Sequence, residues 1–294
     1  MRMSRGQKAF NVFNIAFMVL LMIVTLYPFY YVICASFSSS TYLQVHRGFL
    51  ITPVKATLGA YKKTFNHALI LSGFANIFKI MIVAPPINLL VTIVAAYFMS
   101  QRGMMFKGPI VFLMMFTMFF GGGLIPSYLN IKQLGLYNTL WALILPGCLS
   151  IYNAIIMKTA MEAVPESLSE SAYIDGANDL VVLFRILVPL IIPTLAVILL
   201  YYGVGHWNSW FPATVYLEDN TKLPIQAVLR SIVIENEMLL GSATEVVEGE
   251  AYANDYTETI KYAVIVISTI PILCVYPFLQ RFFVKGVMIG AVKG

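Results

Sequence analysis

The sequence predicts an all-α membrane protein with six transmembrane helices. Apolar residues make up 59% of its 294 residues and charged residues only 11%, and the mean hydropathy is +0.80. These values lie outside the range of soluble globular domains. The chain has room for about six spans of roughly 20 residues each, and no Asp or Glu falls inside a strongly apolar run. We expect residues 1–294 to form a single transmembrane domain.

The apolar runs place these helices in order along the chain. The first run follows Arg2, Arg5 and Lys8, as it would in a signal peptide. Its apolar part is too long for a signal core, and no small-residue cleavage pattern follows promptly, so we interpret it as a retained anchor. The predicted helices cover residues 11–35, 76–99, 108–129, 139–157, 186–202 and 262–283.

Proline and glycine interrupt the second and third runs. Pro85 and Pro86 should break or kink the second helix, because proline lacks a backbone N–H and its ring clashes with the preceding turn. Gly121, Gly122 and Gly123 interrupt the third. Irregular backbone at membrane depth is tolerated only against protein or a water-filled cavity. These glycines therefore either allow close helix packing or line a transport pathway.

The basic residues predict the orientation. Six helices put both termini on one side of the membrane, and the loops on that side carry ten Lys and Arg against eight opposite when Lys79 is left out. The ten are spread over shorter loops, so the positive-inside rule favours cytoplasmic termini. The polar segment 206–261 is then extracytoplasmic, and the loop 161–185 faces the cytoplasm.

The chain shows no catalytic or metal-binding pattern. Cys34, Cys148 and Cys274 lie in or at the ends of apolar runs, where cysteine acts as a small apolar filler. Neither a disulfide framework nor metal ligation is indicated. The three histidines have no acid or nucleophile partner at a recognisable spacing. We expect no catalytic residue, no metal and no cofactor in this chain, which is therefore not predicted to be an enzyme.

The loop between the fourth and fifth runs is unusually acidic. Unpaired carboxylates are costly in hydrocarbon, so this loop must lie at the membrane surface. It holds five of the fourteen acids of the chain, namely Glu162, Glu166, Glu170, Asp175 and Asp179.

Local rules predict two helices in this loop. Residues 166–174 contain neither Gly nor Pro and follow Pro165, which suits a first helical turn. Gly176 falls where a helix ends in a left-handed residue. Asn178 or Asp179 can cap a second helix. A plain solvated connector is the alternative interpretation of the same loop.

The spacing within the loop carries a family resemblance. It closely resembles the EAA motif of permease subunits of type I ABC importers, in which Glu-Ala-Ala, Gly, Ile and Leu-Pro stand at these offsets; here Ser replaces the first Ala and Val replaces Leu. The matching residues are Glu170, Ser171, Ala172, Asp175, Gly176, Ala177, Ile186, Val188 and Pro189. Residues 120–147, the WNSWFPATVYL run from Trp207 and the C-terminal tail look like the carbohydrate-uptake, maltose-permease-like branch. The GGGLIP form resembles a subgroup associated with oligosaccharides from complex polysaccharides.

The resemblance implies a type I ABC importer permease fold with a cytoplasmic coupling helix. Residues 170–175 would dock into a groove on a dimer of separate ATPase subunits, which bind ATP-Mg. Glu170 would pair with a basic group there, Ala172 would allow close approach and Gly176 would allow the sharp turn. ATP-driven closure would then rock the spans between inward-facing and outward-facing states.

The sequence itself supports a separate energy source. It contains no G-x-x-x-x-G-K-[ST] phosphate loop. No span interior carries an Asp or Glu that would serve as a proton or sodium relay, which weighs against a secondary transporter.

The resemblance also implies the remaining partners: a second, related permease subunit, an extracytoplasmic solute-binding protein and an oligosaccharide substrate, in contact with membrane lipid and without nucleic acid. Glu235, Glu237 and Glu245 would contact the binding protein, or simply form a solvated acidic loop. Aromatic faces and amides suit pyranose rings, although aromatics also form interfacial belts. The candidates for the outer gate or substrate pathway are Gly121, Gly122, Gly123, Tyr201, Tyr202, Trp207, Asn208 and Trp210.

Two other functions stay open at this point. The chain is alternatively a permease of the same type for a peptide, an amino acid or an osmolyte. A membrane-embedded enzyme acting on lipid or glycan is the other, and it would need a catalytic constellation that the sequence does not display.

Overall fold

The structure is a computed structural model that describes residues 4–45, 48–101, 103–242, 259–274 and 277. Within these ranges the chain is helical and contains no strand. A π-helix covers Val182–Leu187 and a 3-10 helix covers Asn220–Lys222. The α-helices are α1 (Arg5–Phe37), α2 (Ser40–Val45), α3 (Gly59–Asn66), α4 (Ala68–Ser100), α5 (Lys107–Phe119), α6 (Leu124–Gln133), α7 (Trp141–Ile144), α8 (Ile151–Glu162), α9 (Glu166–Ile174), α10 (Asp179–Val181), α11 (Val188–Leu190), α12 (Ile192–Asn208), α13 (Phe211–Tyr216), α14 (Ile225–Ser242) and α15 (Thr259–Cys274).

Two helices in the described part of the chain, α1 and α4, are long and apolar enough to cross a membrane. Two bent pairs bring the total to four if each pair is one span: α5 with α6, and the run Asp179–Leu190 with α12. The remaining predicted spans, 139–157 and 262–283, correspond to the shorter helices α8 and α15. Residues 275, 276 and 278–283 of the last predicted span lie outside the described residues.

The structure differs from the predicted helices at two points. Helix α4 runs unbroken through Pro85 and Pro86, so of the expected break or kink the break does not occur there. Residues 139–157 do not form one helix, because α7 ends at Ile144 and α8 starts only at Ile151. The Ser150 hydroxyl caps α8 by accepting from the Asn153 N–H at 3.4 Å, a start signal that the apolar composition hid.

Sharp bends break the predicted helices 108–129 and 186–202. Helices α5 and α6 meet at 115°, and Gly123 at the start of α6 has φ +86°, a left-handed value that glycine adopts without strain. The predicted helix over 186–202 contains an 86° bend. There Ile191 leaves helical geometry at φ −104° and ψ 18°, and α12 restarts with Pro193 in its first turn.

The described helices belong to two compact units. The first unit comprises Met1–Ala68 and Leu229–Pro271. In it the loop after α1 is tied back to that helix: the Tyr30 hydroxyl donates to the Ile51 carbonyl at 2.5 Å, and the Tyr27 hydroxyl accepts from the Leu50 N–H at 3.1 Å. Buried Cys34 and Leu43 lie in the core of this unit.

The second unit comprises Leu69–Val228 and Ile272–Gly294. Its core joins α4, α8, the π-helix and α12 through buried Ile93, Met157, Leu183 and Ile198. The segment after α12 packs on the start of α4, where a Cβ on Gly73 would come within 3.1 Å of the Ile225 Cα. The unit therefore holds the acidic loop and the aromatic residues of α12 on one common core.

Candidate functional site

The acidic loop folds as the sequence predicts, into a short helix, a turn and a second helical run. Helix α9 covers residues 166–174 without a buried side chain. Pro165 stands just before it in an extended conformation rather than inside the first turn, and Glu166 occupies the first turn, where the helix dipole favours an acid. Most side chains of α9 therefore remain open to a partner.

Gly176 ends α9 in a Schellman motif. Its φ is +84°, its N–H donates to the Tyr173 carbonyl at 3.0 Å, and the next N–H, of Ala177, donates to the Ala172 carbonyl at 2.9 Å. These two bonds satisfy carbonyls that a helix end leaves open. The Asn178 side chain then caps the next helical run by accepting from the Val181 N–H at 2.9 Å. The motif spacing thus encodes a hydrogen-bonded turn between two helical segments.

The outer surface of this loop combines acidic and apolar side chains. Glu170, Ser171 and Asp175 are exposed, while Ala172 and Ala177 are half-buried. Leu168, Ile174 and Leu180 are exposed by 44%, 86% and 65%. Exposed apolar side chains grouped with charges are typical of an interaction surface.

A small cavity lies behind α9. It has a volume of about 250 Å³ and is lined by Ser100 and Gln101 at the end of α4 and by Glu162, Glu166 and Glu170. Lys158 pairs with Glu162 at 3.4 Å. The cavity therefore carries a net acidic lining.

Three side chains connect α9 with its neighbours. The Tyr173 hydroxyl donates to Oδ1 of Asp179 at 2.7 Å, and the Tyr97 hydroxyl of α4 donates to the same oxygen at 3.3 Å. The two tyrosine hydroxyls are 3.1 Å apart. Burial raises the pKa of the Tyr173 phenol, and the hydrogen bond and negative charge of Asp179 raise it further. The phenol therefore stays protonated and able to donate at neutral pH.

A larger cavity of about 1000 Å³ lies in the second unit, bordered by α4, α7, α8, α12 and α13. Tyr152 and Tyr201 line it and are exposed by 59% and 45%. Its remaining polar lining includes Ser150, Asn153 and Ser209. No Lys, Arg, Asp or Glu occurs among the lining residues in the described chain. The cavity thus presents aromatic rings and neutral hydrogen-bonding groups.

Polar groups inside apolar helices form the inner wall of this cavity. Fully buried Asn88 of α4 places Nδ2 2.9 Å from the His206 Nε2. One turn later, the Thr92 Oγ1 lies 2.6 Å from the Tyr202 hydroxyl, which also accepts from the Ser150 N–H at 2.9 Å. These contacts satisfy the Asn88 amide nitrogen and the Thr92 hydroxyl, whereas the Asn88 Oδ1 is buried without a hydrogen-bond partner in the described part of the chain. Because buried polar groups need partners, the satisfied contacts hold the faces of α4 and α12 toward each other.

The structure brings together only some of the predicted pathway residues. Tyr201 and Tyr202 line the large cavity. Trp207 is buried instead against Phe78, with ring centroids 6.1 Å apart. Asn208 is exposed and donates to the Val204 carbonyl of its own helix at 3.0 Å.

The other predicted site residues are not among those that line that cavity in the described part of the chain. Trp210 stacks edge-on against Phe211 at 5.6 Å. Gly121, Gly122 and Gly123 form the exposed bend between α5 and α6. Of the acids expected to meet a binding protein, Glu235 and Glu237 lie in α14 with side chains outside the described part, and Glu245 lies wholly outside the described residues.

Sequence reasoning missed four polar residues of the cavity lining, namely Asn88, Ser150, Asn153 and His206, and also Thr92, which contacts the lining residue Tyr202. Asn88 and Thr92 were detectable in principle, because polar residues four apart inside an apolar span are costly and mark one functional face. Over the described residues no group of three or more His, Cys, Asp or Glu is arranged to hold a metal ion.

Apolar helices, one of them part of a sharply bent pair, border a cavity with a neutral polar lining, an arrangement typical of a membrane transport protein. The polygalacturonan/rhamnogalacturonan transport system permease protein YtcP of Bacillus subtilis is 38% identical to this chain, over 98% of it and 99% of the relative. Protein LplC of the same organism is 40% identical to this chain, over 100% of it and 98% of the relative. No family model matches the chain.

Among solved structures, the crystal structure of a bacterial ABC transporter involved in the import of the acidic polysaccharide alginate contains a similar chain. It superposes with a TM-score of 0.85 at 30% identity, covering 96% of this chain and 99% of that one. The chain belongs to the permease subunits of ABC importers, in the carbohydrate-uptake class. It is a transport protein and not an enzyme.

Proposed function

We propose that this chain is the membrane-spanning subunit of an ATP-driven importer that moves an oligosaccharide through the cell membrane by alternating access. An extracytoplasmic binding protein delivers the sugar, a second permease subunit completes the pathway, and a dimer of ATPase subunits binds ATP-Mg. The chain crosses the membrane six times, with α5–α6 and the run from residue 179 through α12 each counting as one bent span. Both termini are cytoplasmic.

The observation that carries this proposal is the exposed helix α9, which ends in the Schellman motif at Gly176. Glu170 and Asp175 are exposed, as are Ile174 and Leu180. An acidic and apolar surface of this kind suits a groove with a basic rim. Glu170 pairs there with a cation. The small side chain of half-buried Ala172 lets the helix approach the groove closely. Helix α9 thus acts as the coupling helix.

Co-purification tests the coupling role directly. We expect the tagged chain, expressed with its neighbouring genes, to bring down an ATPase and a second permease. Glu170→Lys should reduce recovery of the ATPase, because it places a cation against the basic groove. Glu218→Lys is the matched control, an exposed acid outside the loop, and should leave recovery unchanged. Equal recovery with both variants would sink the coupling role.

The relatives and the large cavity together support an oligosaccharide as the substrate. The relatives transport polygalacturonan or rhamnogalacturonan in one case, and alginate in the solved structure. Tyr152 and Tyr201 offer exposed ring faces, and Asn153 and Ser209 offer neutral donors and acceptors at the cavity wall. These groups match the apolar faces and hydroxyls of a pyranose.

Uptake by the complex in lipid vesicles tests the substrate. The oligosaccharide pool consists of partial digests of polygalacturonan, rhamnogalacturonan and alginate, compared with a mixture of peptides and with glycine betaine. We expect binding-protein-dependent uptake of at least one digest. Tyr201→Ala should lower that uptake, while Trp141→Ala, another exposed aromatic, should not. Uptake of peptides or betaine alone would assign the chain to another solute class.

The extracytoplasmic segment is proposed to meet the binding protein. Glu235, Glu237 and Glu245 are the contact residues to test, by replacing each with cysteine and cross-linking to the purified binding protein. A cross-link that forms at none of the three positions, while uptake proceeds, would move the contact elsewhere.

A further inference from the structure

The geometry points to a second role for the loop behind α9: we propose that Tyr97, Tyr173 and Asp179 form a link that transmits movement of the coupling helix to α4. This inference rests on the proposed coupling function and deepens it. None of the three residues belongs to the motif that identified the loop.

Each member of the link comes from a different element. Tyr97 stands one turn before the end of α4, Tyr173 lies in α9, and Asp179 starts the helical run that leads to α12. Their polar atoms converge within 2.7–3.3 Å on one carboxylate oxygen. The link therefore joins the docking helix to the last turn of one span and to the start of another.

The chemistry suits a bond that persists through a movement. Asp179 lies in the first turn of its helix, where the dipole stabilises the carboxylate. Hydrogen bonds to a charged acceptor are about twice as strong as neutral ones. Two donors on one oxygen also allow the Tyr97 hydroxyl to change partner between Asp179 and Tyr173, which lies 3.1 Å away, without leaving the link.

The link adds a hydrogen-bonded contact with α4 to the packing of α9 against the π-helix Val182–Leu187. Helix α9 buries no side chain, and the cavity of about 250 Å³ separates part of it from the end of α4. Force applied at Glu170 would otherwise bend the loop into that space. With the link in place, the same force displaces the end of α4.

Removing the hydroxyls tests attachment first. In the full chain in nanodiscs, Tyr97→Phe and Tyr173→Phe should each accelerate amide hydrogen exchange in residues 166–177 by about three-fold to ten-fold, the range for a partly exposed hydrogen bond. Asp179→Asn should accelerate this exchange less than Asp179→Ala, because the asparagine side chain keeps one acceptor oxygen. Tyr137→Phe is the matched control, since Tyr137 packs on Tyr128 away from this loop. Unchanged exchange in both tyrosine variants overturns the link.

The number of oligosaccharides transported per ATP hydrolysed then tests transmission. In the reconstituted complex with the oligosaccharide pool, Tyr97→Phe and Tyr173→Phe should lower this ratio several-fold while the ATPase subunit still co-purifies at the wild-type yield. A ratio equal to wild type in either variant, or an equal fall in Tyr137→Phe, overturns the inference. A wild-type chain that recovers no ATPase overturns the proposed function instead, and hydrogen exchange still decides whether the link exists.

Discussion

Replacing Gly176 by alanine should loosen the coupling loop by a predictable amount. Gly176 has φ +84° and no atom within 4 Å of the position that a Cβ would take. The substitution therefore meets no steric clash, and its cost is the left-handed backbone alone, roughly 1–2 kcal/mol. This cost destabilises the turn that ends α9, which two backbone hydrogen bonds of 3.0 and 2.9 Å close. The population with this turn open should rise by a factor of about 5–30.

The chain contains its own control for this experiment. Gly135 follows α6 with φ +70° and no atom within 4 Å of its Cβ position. It repeats the same hydrogen bonds, from its own N–H to Lys132 at 3.1 Å and from Leu136 to Ile131 at 3.1 Å. Gly135→Ala thus carries the same backbone penalty outside the acidic loop.

Amide exchange and the transport ratio separate the two glycines. Each substitution should accelerate exchange of the amides at its own turn by about 5–30-fold. Only Gly176→Ala should also lower the sugar transported per ATP, because only that turn orients a docking helix. Gly176→Asn should fall between glycine and alanine, since asparagine tolerates the left-handed region. An equal loss of transport with Gly135→Ala would refute the reasoning.

Three further outcomes are expected. Thr92→Val removes the buried partner 2.6 Å from the Tyr202 hydroxyl and should cost about 1 kcal/mol of unfolding free energy in detergent, whereas the exposed Thr214→Val should cost little. Asn88→Leu should reduce uptake without reducing co-purification of the ATPase, because Asn88 holds His206 at the cavity wall at 2.9 Å. Because the folded pKa of the Tyr173 phenol is raised, its contribution is full below about pH 10 and is lost as pH rises from there through the folded value. The difference in thermal stability between wild type and Tyr173→Phe should shrink over that range.

Local chemistry made the acidic loop readable from sequence. The absence of Gly and Pro over 166–174 predicted helix α9 with its observed bounds, Gly176 predicted its left-handed end, and Asn178 caps the next helical run. These features depend on residues within one or two turns of each other. Their role in coupling stays a proposal.

Hydropathy was a poorer guide to helix continuity inside the spans. The run 139–157 is apolar enough to cross a membrane, yet Ser150 starts a new helix within it. Pro85 and Pro86 predicted a break or a kink in the second span. Helix α4 nevertheless continues through both prolines, where the packed residues Ala84 and Pro85 are buried. Composition averages over a window, whereas caps and burial act at single positions.

The cavity shows the limit of reasoning along the chain. Asn88 and His206 are 118 residues apart in sequence and meet at 2.9 Å, so no spacing rule connects them. Trp207 and Tyr202 both looked suited to a sugar, but the helical rotation of α12 turns Trp207 toward Phe78 and leaves Tyr202 at the cavity. Which face of a helix meets which neighbour is decided by packing of the whole unit.

Because the helices differ in length, the thickness of the bilayer should affect how they are strained and tilted. Helix α4 has 33 residues and is about 50 Å long, while α12 has 17 residues and is about 26 Å long. A hydrocarbon layer of about 30 Å is shorter than α4 and longer than α12, so α12 can cross it only together with the helical run before the bend at Ile191. Thicker lipid strains α12 and the bend at Ile191, and thinner lipid tilts α4 and with it Tyr97. Lipid chain length therefore acts on both ends of the proposed link without any change of sequence.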